Sequence, residues 1–128
     1  MTMTATIGYV LAGLLAAAII FIGGRFLVAP RIAAAGYGVP VHSELSVVGA
    51  YLSVKGVRDI ATGLYVIILM IAGATHLIGW VMLAATIIPI GDAAIVLRHG
   101  GAKSVAWGVH GGTAAVMLVT TALLLTSG

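Results

Sequence analysis

Polar chemistry in this chain has few places to sit. The 128 residues include three acids, six Lys or Arg and four His. Three of those charges fall in one stretch, Tyr51-Leu-Ser-Val-Lys55-Gly-Val-Arg58-Asp59-Ile-Ala-Thr62-Gly-Leu-Tyr65. Tyr51, Lys55, Arg58/Asp59, Thr62 and Tyr65 recur every three or four residues, which in a helix draws one polar stripe down one face. The surrounding sequence is long and apolar enough to cross a bilayer. Lipid cannot solvate such a stripe, so it is expected to face protein or a water-filled cavity. An ionisable residue inside a membrane is a functional-site hypothesis by default.

Asp92 and His110 complete the set of candidates. A carboxylate set against an imidazole makes a general base, and partial burial moves its pKa toward neutral. An arginine beside them can hold an enolate, carboxylate or phenolate as charge develops. Such a site suits isomerisation, cyclisation, oxidation or epoxide opening on a small lipophilic compound. Asp59, Asp92 and His110 are the candidate catalytic groups. Arg58, Lys55, Tyr51, Thr62, Tyr65 and Thr113 are the candidate substrate contacts. Asp and His are also usual metal ligands, but these three lack any local ligand spacing, so no metal is expected. The sequence holds no phosphate loop, nucleotide fingerprint or serine-nucleophile motif, and no cofactor is expected. With no cysteine, thiol chemistry and disulfides are excluded.

Positioning these residues requires a membrane fold. The chain is 62% hydrophobic and 7% charged, whereas soluble domains are about 45–50% apolar and about 25% charged. An all-α, polytopic membrane protein follows, a single domain over residues 1–128. Four antiparallel spans are expected at about 4–28, 46–72, 76–97 and 103–126. The first has no charge at its start, and Arg25 follows its apolar run, so a retained span is expected over a signal peptide. Its pairs Gly13/Ala17 and Ala12/Ala16 make a packing face, since small residues let helices approach in lipid. Residues 29–46, punctuated by Pro30, Gly36, Gly38 and Pro40, read as an interfacial connector, with one or two helical turns over 32–37, or as a lid over the bundle. A tight turn at Gly73-Ala-Thr75 makes a hairpin of the second and third spans. Pro89 is expected to kink the third. Trp80 and Trp107 read as interface anchors, and Gly108/Gly112 as a packing motif.

Arg25, Arg31, Arg98 and Lys103 flank the first and third connections, so the positive-inside rule puts both termini on the outer side. Depth can then be counted at about 1.5 Å per residue through a core of about 30 Å. His110 lies roughly 10 Å, and Asp92 and Asp59 roughly 9 Å, below the cytoplasmic boundary. Three spans thus bring Asp59, Asp92 and His110 to one level. His110, Thr113, Met117 and Thr120/Thr121 share a face that forms a second polar stripe. Structural alternatives stay open beside this: a Lys55–Asp59 pair, an Arg58–Asp92 bridge between helices, and a carbonyl partner for His110.

The stretch from Ala50 to Leu64, together with Pro89-Ile-Gly-Asp92, Arg98-His-Gly-Gly101, Trp107-Gly-Val-His110-Gly and Gly36-Tyr-Gly-Val-Pro40, resembles the small bacterial and fungal membrane proteins grouped as domain of unknown function 4267. The likeness runs from about Pro30 to the C-terminus. It implies a four-helix membrane fold, with Arg58, Asp59, Asp92 and His110 at the family's polar motif positions. It implies no activity. The architecture is also similar to other small four-helix membrane families, among them cofactor-free anthrone oxygenases, a likeness of fold only.

Three functional classes follow. The first binds or converts a small lipophilic compound by acid–base chemistry. The second is proton-coupled transport through the same carboxylates. Small multidrug transporters match in length and span count, but they use a glutamate in the first helix, where this chain has no acid. The third is a structural or assembly subunit. The expected partners are the bilayer, a lipophilic ligand and a second copy seated on glycine-rich faces. Nucleic acid is not among them at a formal charge of +3. The expected setting is a multi-pass protein of a bacterial cell membrane.

Overall fold

A computed structural model of the chain describes residues 1–42 and 45–127. Among these, regular structure is entirely helical. Helix α1, Met3–Val28, is capped by Thr2, whose side chain accepts from the Ala5 amide at 3.1 Å. Helix α2, Pro30–Tyr37, opens on proline, whose missing N–H costs nothing at a helix start. It ends at Gly38, where φ of 102° is a conformation glycine adopts without strain. Helix α3 spans Leu45–Ile71. After the turn at Gly73 come α4, Thr75–Ala85, and α5, Ile87–Arg98.

The break between α4 and α5 falls at Thr86, three residues before Pro89. The proline cannot donate to the preceding turn, and the buried Thr86 hydroxyl donates to the Met82 carbonyl at 2.8 Å. The last span starts with a π-helical segment, Val105–Gly111, and continues as α6, Gly112–Thr126.

Three helical stretches are long and apolar enough to cross a membrane: Met3–Val28, Thr75–Arg98 and Val105–Thr126. Helix α3 is as long as any, but Lys55, Arg58 and Asp59 lie in its middle. Large apolar side chains, among them Leu14, Phe21, Ile68, Ile87 and Val119, stay exposed around the bundle, as a lipid-facing surface requires.

The packing order differs from the chain order. The expected hairpin of α3 with α4 is a minor contact. Instead α3 lies along α1, α1 also packs on α6, and α6 carries α4. Small residues decide this. A Cβ added at Gly23 would come within 2.5 Å of the Gly56 carbonyl, and one at Gly63 within 2.7 Å of the Ala16 carbonyl. Backbones this close leave no room for side chains, which is how helices associate without a hydrophobic drive. A central core joins Ala12, Ala16, Val66, Ile78, Met82, Met117 and Leu124. A second cluster, at the end that carries α2, packs Phe26 on Ala33 and Ala34, with Tyr37, Val41 and Leu52 against it. A third joins Ala93, Val96 and Ala106.

Candidate functional site

Tyr37 is the hub of the polar cluster. It is the last residue of α2, and the Gly38 turn drops the chain away behind it. Its ring meets Phe26 edge-on, with centroids 5.7 Å apart, and His110 at 4.3 Å. Its main-chain carbonyl accepts from His110 Nε2 at 2.8 Å. The Asp92 carboxylate lies near its hydroxyl. Burial pushes the Tyr37 phenol far above its ordinary range, and Asp92 and then Asp59 push it further in the same direction. The phenol therefore stays protonated and acts as a donor.

Lys55 closes the other side. Its Nζ is 2.6 Å from Asp59 Oδ2. The same ammonium stands 4.4 Å from the centroids of both the Phe26 and Tyr37 rings. Two ring faces and a carboxylate thus hold one cation, each attracting it electrostatically. No second ion pair joins two described residues. The alternative bridge from Arg58 to Asp92 does not form there.

A cavity of about 390 Å³ opens beside this cluster, lined by Phe26, Ala34, Tyr37, Val41, Leu52 and Lys55 among others. Its walls are largely apolar and Lys55 supplies its charged end. Tyr37 lines the cavity and also has the Asp92 carboxylate nearby. Ligand sites commonly take this form, an apolar hollow with a few convergent polar groups.

The structure brings Asp59, Asp92, His110 and Lys55 together around Tyr37. It does not bring in the rest of the α3 stripe. Tyr51, Arg58 and Tyr65 point outward, Tyr51 being 73% and Tyr65 62% exposed. The reason is helical geometry. At about 100° per residue the stripe is a fan about 120° wide, with Asp59 and Lys55 on one edge and Tyr65 and Arg58 on the other. Thr62 falls between and donates to the Arg58 carbonyl. Thr113 is half-buried and donates to the Val109 carbonyl at 2.7 Å, so its hydroxyl serves its own helix.

Two features of the site escape sequence reasoning. Tyr37 sits in a segment that reads as a connector, and only the Gly36-Tyr-Gly sequence at the end of the short helix marks it. The π-helical turn around His110 has no period of its own to betray it. Such turns often occur at functional sites.

All six residues of this cluster fall within the segment matched by a protein-family model described as Domain of unknown function (DUF4267), which covers residues 16–124. The chain belongs to that family. No curated protein and no solved structure matches it. The DUF4267 match begins within α1 and ends within α6, so it takes in the whole site and the helices that build it.

Proposed function

We propose that the chain is a four-span membrane protein that binds, and converts by acid–base chemistry, a small lipophilic compound in the cavity beside Tyr37. In this reading α3 is the fourth span, both termini lie on the outer side, and the cavity opens in the cytoplasmic half. The distribution of Arg25, Arg31, Arg98 and Lys103 supports that orientation. One observation carries the proposal: a largely apolar cavity, with Lys55 and His42 among its described lining residues, includes a tyrosine that has a carboxylate nearby. The ligand's apolar body occupies the cavity and its polar end lies toward Tyr37, at the end that Lys55 lines.

Asp92 is the base in this scheme, and the Tyr37 hydroxyl passes the proton between it and the ligand. Lys55 and Asp59 set the charge at the cavity's end. His110 holds Tyr37 through its main chain. Arg58, on the outer face, plays no part in the chemistry. Proton-coupled transport is the second reading, favoured by two carboxylates that act on the same tyrosine.

Extraction of small molecules from protein purified in mild detergent tests the proposal, with wild type beside Asp92→Asn and His110→Ala. A specific lipophile that accompanies wild type and is lost from folded Asp92→Asn supports it. Wild type free of any specific lipophile counts against it.

A further inference from the structure

We propose that the box formed by Phe26, Tyr37 and Asp59 is a binding site for a lipophilic amine, and that the Lys55 ammonium occupies it as a tethered stand-in. The inference rests on the cavity reading above and names the ligand's class. Two aromatic rings 4.4 Å from a nitrogen cation, with a carboxylate at 2.6 Å, is how proteins recognise ligand ammonium groups. Here the chain's own side chain fills that place.

Charge points the same way. Among the described residues, the basic side chain within salt-bridge distance of Asp59 is Lys55. The Asp59 side chain is 14% exposed, and a carboxylate so far out of water is costly to leave without a cation. An incoming ammonium would take the place that Lys55 leaves and keep Asp59 paired. The route exists as well. The Lys55 side chain is 29% exposed, so its ammonium can swing to water without crossing protein, as long lysine stems do at membrane surfaces. The apolar cavity ends at the vacated place, and an amine's hydrocarbon part would fill it.

An internal competitor lowers apparent affinity by the fraction of time that the site is free. The test is therefore calorimetric titration of N,N-dimethylphenethylamine into the full chain in detergent, for wild type and Lys55→Met. 3-Phenylpropanoate and 2-phenylethanol serve as charge controls. Lys55→Met is expected to bind the amine about tenfold tighter or more, with no such gain for the acid or the alcohol. An amine that gains nothing, or an alcohol or acid that gains as much, overturns the proposal.

If Lys55→Met does not fold, wild type gives the answer. The chain has two lysines, Lys55 and Lys103. The tertiary amine should raise the rate at which an N-hydroxysuccinimide ester acetylates Lys55 relative to Lys103, because displaced Lys55 stands in water. An unchanged ratio overturns the proposal. A neutral or acidic lipophile found in the cavity, with no response to the amine, sinks this inference and leaves the proposed function standing. No ligand of any charge in the cavity sinks both.

Discussion

His110 Nε2 lies 2.8 Å from the main-chain carbonyl of Tyr37, seventy-three residues earlier in the chain. The carbonyl can only accept, so Nε2 carries the hydrogen. The bond ties the π-helical start of the last span to the end of α2. His110 is buried, at 4% exposure, so its loss strands a carbonyl away from water. His110→Ala should cost about 1–3 kcal/mol, read by thermal unfolding in micelles. The nitrogen chemical shifts of the wild-type ring should report the Nε2–H tautomer; the opposite tautomer would refute the contact.

Tyr37 offers a test by titration. The chain has four tyrosines. Burial and the Asp92 carboxylate raise Tyr37 above its ordinary value of 10.0. In an alkaline titration followed by tyrosinate absorbance, it should remain protonated after more exposed tyrosines have ionised. The sign for stability follows. Above about pH 10 the unfolded chain releases this proton and the folded chain keeps it, so stability falls as pH rises. Tyr37→Phe should remove that slope.

Close backbone approach makes a sharp pair of predictions on α1. Gly23→Ala places a methyl against the Gly56 carbonyl, and overpacking of this kind costs about 1–3 kcal/mol. The neighbouring Gly24 has nothing within 4 Å of an added Cβ. Gly24→Ala should be neutral or stabilising by about 0.5–1 kcal/mol, as glycine gives way to alanine in a helix. Unfolding of the two variants side by side decides whether α1 and α3 touch there.

Lys55 and Asp59 should behave as a coupled pair. Their side chains are 29% and 14% exposed, between the surface and core cases. A double-mutant cycle with Lys55→Met and Asp59→Asn should give a coupling of about 1 kcal/mol. Additive effects would show that the ammonium is held by the rings alone.

Orientation is testable because the chain has no cysteine of its own. Ala102→Cys, between the last two spans, should react with a membrane-impermeant maleimide from the cytoplasmic face. Ala72→Cys, in the exposed turn after α3, should react from the other. The reverse pattern would invert the proposed topology.

Much of the helical framework is legible in the sequence, because lipid forces long apolar runs and leaves few polar groups to place. The turn at Gly73 and the break ahead of Pro89 follow from backbone chemistry. Counting depth along three helices puts Asp59, Asp92 and His110 at one level, and the structure gathers them around Tyr37. Rotation about the helix axis is harder to read than depth. The α3 stripe splits because a spacing of three or four residues tolerates a wide fan, and only tertiary packing selects which edge turns inward. Glycine contacts between α1 and α3 override the neighbour relation that the short Gly73 turn suggests. Tyr37 escapes notice because it sits on a short helix whose importance comes wholly from what it lies against. The resemblance to the family in Gly36-Tyr-Gly-Val-Pro40 includes it, but nothing in the spacing gives it a role.

The account depends most on the cavity beneath α2 being a ligand site. Native mass spectrometry of wild type beside Leu52→Trp, a substitution that fills the cavity without touching Lys55, Asp59, Asp92 or His110, tests this most directly. The account predicts a bound small molecule in wild type that is absent from a folded Leu52→Trp. A wild-type protein with no bound molecule, or one that Leu52→Trp retains equally, would contradict it.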